Sequence, residues 1–204
     1  DIKISFNNVT FKYDEDTEVL KNVNLTIDTN EKVTFVGRTG VGKSTLFKLI
    51  MGILKPSEGS ITINDIDVYD IPNVEKRKIF GYVDQSFHMI KGTVMDQITI
   101  QDDNITQEQV MHALDFVGIK EYVDSLENGV YTEIVGDNIF SQGQKQLLSI
   151  ARAIVMNPPI LLLDEITANL DSLTEKNVVN VLSKASKDHT ILSISHSCLL
   201  YTSD

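Results

Sequence analysis

Gly37–Thr45 reads GRTGVGKST and fits the pattern G-x-x-x-x-G-K-[ST]. It follows the short apolar run Glu31–Val36 (EKVTFV) and leads into Ser44–Met51, where Leu46, Leu49 and Ile50 have helical spacing until Gly52 and Pro56 end the run. The pattern therefore joins a strand to a helix. Gly37, Gly40 and Gly42 allow backbone conformations barred to other residues. Successive N–H groups along Gly37, Arg38, Thr39, Gly40, Val41 and Gly42 can thus turn toward phosphate oxygens. The helix that follows presents its positive end to the same anion. Lys43 is placed to reach β- and γ-phosphates, the Ser44 hydroxyl to ligate Mg²⁺, and Thr45 completes the motif.

The next informative stretch is Ile160–Glu165, ILLLDE. Pro159–Leu163 is a nearly unbroken apolar run, as expected of a strand buried on both faces of a parallel sheet. Such a strand delivers Asp164 to the crevice at its carboxyl end, where open α/β sheets bind ligands. Asp164 is expected to hold Mg²⁺, directly or through water, and Glu165 to polarise an attacking water. Two acids at a strand end are also common as solvated caps; the loop at Gly37–Thr45 favours the functional reading.

Elsewhere, alternating residues mark strands at Ile2–Phe11, Val23–Ile27, Ser60–Val68 and Ile79–Val83. From Ser86 to Met156 the pattern is mainly helical, with apolar faces at Val110, Ala113, Leu114 and Val117 and at Leu147, Ile150, Ala151 and Ile154. A polar helix at Ser172–Ser186 and a strand at Thr190–Ser195 close the chain. The expectation is an α/β fold with a mostly parallel sheet and a helical insertion.

The sequence has 204 residues and a formal net charge of −11, which opposes a general affinity for nucleic acid phosphates. The one cysteine, Cys198, cannot form an intrachain disulfide and suits a reducing compartment. No apolar run approaches the roughly 18 residues needed to span a bilayer, so a membrane role would come through other chain or a partner.

Phe140–Gln144 (FSQGQ), continuing KQLLSIARAI, resembles the signature motif L-S-G-G-Q of the nucleotide-binding domain of ABC transporters, with Phe140 in place of Leu and Gln142 in place of the first Gly. The resemblance runs over nearly the whole chain. It implies a P-loop NTPase (RecA-like) fold with an N-terminal antiparallel β subdomain and an inserted α-helical subdomain. Residues 1–204 would form one domain, with 1–85 and 157–204 as β subdomain and core and 86–156 as the helical unit.

The resemblance also implies that Ser141, Gly143 and Gln144 meet the γ-phosphate of ATP held by an opposite protomer. Tyr13 matches the aromatic that stacks on adenine. Gln85 matches the glutamine that senses Mg²⁺ and the transport domain, and Ala168–Asp171 (ANLD) the loop that crosses the dimer interface. His196 matches the histidine on the γ-phosphate. The implied catalytic residues are Glu165, His196 and Gln85, and the implied metal ligands Ser44, Gln85 and Asp164. His88, His112 and His189 have no such match and read as ordinary surface or core residues.

Phe87–Ile100 (FHMIKGTVMDQITI) and Tyr131–Asp137 (YTEIVGD) resemble exporter-type segments. The spacing from Gly136 to Ser141 departs from the usual exporter arrangement by about one or two residues, which leaves the roles of Glu133 and Asp137 open. Ser197–Asp204 (SCLLYTSD) does not resemble the family's continuation, and the expectation is a truncated domain with a foreign end.

The function implied is ATP binding and hydrolysis at the cytoplasmic face of a membrane. The implied partners are a transmembrane domain and a second nucleotide-binding domain, as homodimer or heterodimer. A soluble ABC ATPase of translation or DNA repair is the alternative; the charge and the Phe87–Ile100 segment oppose it. Glu165 and His196 oppose a third reading, a subunit that closes on ATP but barely hydrolyses it.

Overall fold

Ile4, Phe6, Val9 and Phe11 are buried along β1 (Ile4–Lys12), although strict alternation breaks between Phe6 and Val9. A register shift between those two residues absorbs the break. Asn8, inside it, adopts φ +50°, a left-handed conformation that Asn tolerates better than most residues. The computed structural model describes residues 1–36, 42–84, 86–136, 139–166 and 170–195, and for 42–44 the backbone alone.

β1 pairs antiparallel with β2 (Glu18–Ile27). The chain then runs through β3 (Lys32–Val36) and α1 (Gly42–Ile50) to β4 (Glu58–Ile63) and β5 (Ile66–Asp67). These build an antiparallel sheet of order β2-β1-β4-β5. The alternating stretch Ser60–Val68 is thus two short strands rather than one. Asn64 and Asp65 break it with φ of +49° and +67°, the signs a type I′ hairpin turn demands at both central positions.

The second sheet has order β3-β8-β7-β6 and is parallel throughout. Its remaining strands are β6 (Phe80–Val83), which follows α2 (Asn73–Ile79), β7 (Ile160–Asp164) and β8 (Thr190–Ser195). In β7, Ile160 and Leu162 face the core formed with α1 and β1, while Leu161 and Leu163 face the helical side. That division explains the unbroken apolar run.

Between β6 and β7 lie α3 (Val94–Thr99), α4 (Gln107–Val117), α5 (Lys120–Asp124) and α6 (Gln142–Ile154). α7 (Ser172–Ala185) precedes β8. Reciprocal capping boxes start three of these helices, Thr93 with Asp96, Thr106 with Gln109, and Ser141 with Gln144.

α6 docks on β6 closely enough to need a residue without a side chain. A Cβ added at Gly81 would lie 2.4 Å from the Ala153 carbonyl oxygen and 2.8 Å from Leu161 Cδ2. Gly81→Ala should therefore destabilise the domain by about 1–3 kcal/mol, the usual cost of overpacking, seen as a lowered thermal midpoint. An unchanged midpoint would show that α6 yields without cost.

Candidate functional site

The parallel sheet aligns the carboxyl ends of three strands. Val36 of β3 lies opposite Ser195 of β8, and Asp164 of β7 opposite Ile194. α1 begins at Gly42, six residues after Val36, and buries Phe47, Leu49 and Ile50. Of the motif, Gly37, Arg38, Thr39, Gly40 and Val41, and the side chains of Lys43 and Ser44, lie outside the described residues. Thr45, its last residue, is fully buried.

Tyr13, just beyond β1, hydrogen-bonds through its hydroxyl to Thr45 Oγ1. Its ring meets Phe11 edge-on, with centroids 5.0 Å apart, and remains half exposed. A tyrosine distant in sequence thus stands at the end of the motif, where a base attached to cradled phosphates could lie against it.

Asp164 is half-buried at the end of β7. The Tyr82 hydroxyl on β6 donates to Asp164 Oδ2 at 3.0 Å, and the Tyr82 ring packs edge-on against Phe47 of α1. Burial, then the nearby Asp164 and Asp84 carboxylates, raise the Tyr82 pKa above its ordinary value, so its hydroxyl stays a donor. Tyr82 is the site residue that the sequence did not disclose. Its place depends on the pairing of β6 with β7, and nothing in the local pattern marks it.

Glu165 leaves the sheet at φ +51° while its N–H donates to the Ile194 carbonyl at 3.1 Å. A non-glycine residue costs about 1–2 kcal/mol in that region, so the β8 contact holds the candidate base in a conformation it would not choose alone. Such strain clusters where side-chain aim matters.

The donor set suits Mg²⁺ bound among phosphate oxygens, water and one protein carboxylate, rather than an all-protein cage. Among the described residues no group of three or more His, Cys, Asp or Glu could hold a metal.

The third component is the start of α6. Ser141 Oγ accepts from the Gln144 N–H at 3.1 Å, and the Gln144 side-chain oxygen accepts from the Ser141 N–H at 2.9 Å. Both side chains therefore shape the helix end as well as lining it. Phe140 is buried, and the Tyr122 ring meets it with centroids 5.6 Å apart. The Tyr122 hydroxyl donates to the Ile139 carbonyl, fixing the backbone just before Ser141.

A profile of the family described as "ABC transporter" matches residues 20–168. The chain belongs to the ABC transporter family. It is 33% identical over 195 residues to the lactococcin-A transport/processing ATP-binding protein LcnC of Lactococcus lactis subsp. lactis, covering 95% of this chain and 27% of that protein. It is 33% identical over 197 residues to the glutathione/L-cysteine transport system ATP-binding/permease protein CydD of Bacillus subtilis (strain 168), covering 96% and 34%. A solved bacterial Atm1-family ABC exporter with ATP bound superposes with a TM-score of 0.81 at 33% identity, over 96% of this chain and 34% of that one. The chain spans about a quarter to a third of the relatives' length.

The fold is accordingly that of an ABC ATPase domain, a P-loop NTPase, and membership of the ABC transporter family makes it a nucleotide-binding domain. In this ABC domain the two exporter-like segments are joined. Val94 N–H donates to the Thr132 carbonyl at 3.0 Å and Ile134 N–H to the Gly92 carbonyl at 2.8 Å, around an antiparallel bridge of Thr93 with Glu133. Asp171, last of the ANLD stretch, caps α7 by accepting from the Thr174 N–H at 3.3 Å. Gln85, Asp137, Ala168, Asn169, His196 and Ser197–Asp204 lie outside the described residues.

Proposed function

We propose that this chain is the ATP-hydrolysing domain of an ABC exporter, acting at the cytoplasmic face of a membrane. The observation that carries the reading is the shared carboxyl edge. Asp164 and Glu165 lie there, Tyr82 links Asp164 to Phe47 of α1, and Tyr13 bonds Thr45 at the end of the motif. The relatives' names, which pair ATP-binding with permease functions, support the exporter context. A transmembrane domain is accordingly the first partner; among the described residues no helix is long and apolar enough to cross a membrane.

The second partner is another nucleotide-binding domain, identical or paralogous. Residues 86–156 form the helical unit that brings Ser141, Gly143 and Gln144 to the ATP held by that other copy. Residues 1–85 and 157–204 carry the β subdomain and core. The net charge of −11 opposes nucleic acid as a partner.

In each site Gly37–Thr45 wraps the phosphates, Lys43 balances their charge and Tyr13 stacks on the adenine. Ser44, Asp164 and Gln85 would hold Mg²⁺, which would supply charge neutralisation for the transferred phosphoryl group. The Tyr82 hydroxyl, bonded to Asp164 Oδ2, orients that carboxylate. Glu165 accepts a hydrogen bond, then a proton, from water as its oxygen attacks the γ-phosphorus. The bond from that phosphorus to the bridging oxygen breaks, and ADP leaves with the electron pair. His196 steadies the γ-phosphate throughout.

Calorimetric titration with ATP and Mg²⁺ tests the binding step. Lys43→Ala should weaken ATP affinity by about tenfold or more, the worth of one charge-assisted contact. Equal affinity in variant and parent would remove Lys43 from the phosphate site, and no ATP binding by the parent would remove the reading altogether.

A further inference from the structure

Arg152 lies on α6, remote from the helix end that carries Ser141. Its Nε donates to the Gln97 carbonyl at 2.6 Å, its Nη2 to the His88 carbonyl at 3.4 Å, and its guanidinium carbon lies 4.2 Å from the centre of the Phe87 ring. Among the described residues these partners are carbonyls and a ring, and burial alone pushes its pKa down to about 10.

The Gln97 carbonyl belongs to the last turn of the short α3, where intrahelical partners run out. Fully buried Gln97 grips the segment from its other side. Its Oε1 accepts from Ile90 N–H at 2.8 Å, and its Nε2 donates to the carbonyls of Ile90 at 2.8 Å and Thr93 at 3.1 Å. Thr93 in turn pairs with Glu133. A continuous set of hydrogen bonds therefore runs from α6 through residues 87–97 to the second exporter-like segment.

A desolvated cation is a poor source of net stability, and an apolar side chain of similar length could fill the space at less cost. It could not donate to carbonyls from separate parts of one segment while stacking on a third residue.

We infer that Arg152 is a positioning residue that fixes residues 87–97 to α6, so that the segment following Gln85 and the helix bearing Ser141 move as one body. This rests on the proposed ATP site, where Gln85 belongs to one nucleotide and the start of α6 to the other. Nucleotide sensed at either place would then be felt at both. The device is a rigid link between elements with two arrangements, the physical requirement for coupling.

Hydrogen exchange followed by mass spectrometry, with and without ATP and Mg²⁺, tests the link on this chain and its Arg152→Met and Arg152→Lys variants. In Arg152→Met, residues 87–97 should exchange about tenfold faster or more and lose their response to ATP. α4 should stay within about twofold of the parent, and α1 should keep its protection by ATP. Arg152→Lys should fall between, since one ammonium cannot span both carbonyls and the ring.

Unchanged exchange at 87–97 in Arg152→Met would overturn the inference. So would an equal acceleration in α4, which would mean general loosening of the helical unit. If ATP fails to protect α1 in the parent, the nucleotide site is wrong, and the exchange measured without ATP still decides the role of Arg152.

Discussion

Glu165→Gln is expected to reduce ATP hydrolysis by about a thousandfold, within the range for loss of a positioned general base, while ATP affinity changes by less than about threefold. The substitution preserves size and hydrogen-bonding reach but removes the proton acceptor. It also retains the backbone. The residue at position 165 must hold φ +51° with its N–H on the Ile194 carbonyl, and Gln meets that demand no worse than Glu. Stability should therefore be unaltered, and the loss would belong to chemistry. Steady-state phosphate release at saturating ATP, beside a binding titration, separates the two. Turnover by the variant at the parental rate would remove Glu165 from the mechanism, and a parallel loss of binding would place it among the ligands of the ground state.

The parts of this site legible in the sequence are those built by local rules. Gly37–Thr45 and ILLLDE reveal themselves because each joins an apolar run to a fixed pattern of glycine, lysine or acid within a few residues. The face of α6 is equally local. What stayed hidden depends on which elements become neighbours. Tyr82 matters only because β6 pairs with β7, and Arg152 only because α6 crosses residues 87–97. α2 escaped for another reason. None of its residues is buried, so NVEKRKI carries no apolar stripe to count; Lys76, reaching the Gly52 carbonyl at 3.0 Å, ties it down instead. SITINDIDV misled in the opposite direction: its alternation shifts phase at the two adjacent polar residues Asn64 and Asp65, which form the hairpin turn, and the stretch still reads as a single alternating run.

Gly143→Ala should lower ATP hydrolysis about a hundredfold, and Thr174→Ala should restore most of it. A Cβ at position 143 would lie 2.8 Å from both Thr174 Cγ2 and Oγ1, contacts within this chain rather than with a nucleotide. Either α6 or α7 would have to shift. Both starts carry proposed interface residues, Ser141 on one and Asp171 on the other, and a misplacement of about 1 Å can cost two orders of magnitude in rate.

Removing the Thr174 side-chain branches clears the space, leaving its Cβ 3.4 Å away. The N–H that caps onto Asp171 stays in place in Thr174→Ala. The double variant should thus recover to within about threefold of the parent, and gain helix stability of roughly 0.5–1 kcal/mol from Ala in place of Gly. Thermal melts and phosphate release on the two single variants and the double variant distinguish the alternatives. Recovery means that glycine is required because α7 stands against it. A double variant as slow as Gly143→Ala means that the missing side chain makes room for the phosphates themselves, since the three nearest atoms to the added Cβ all belong to Thr174.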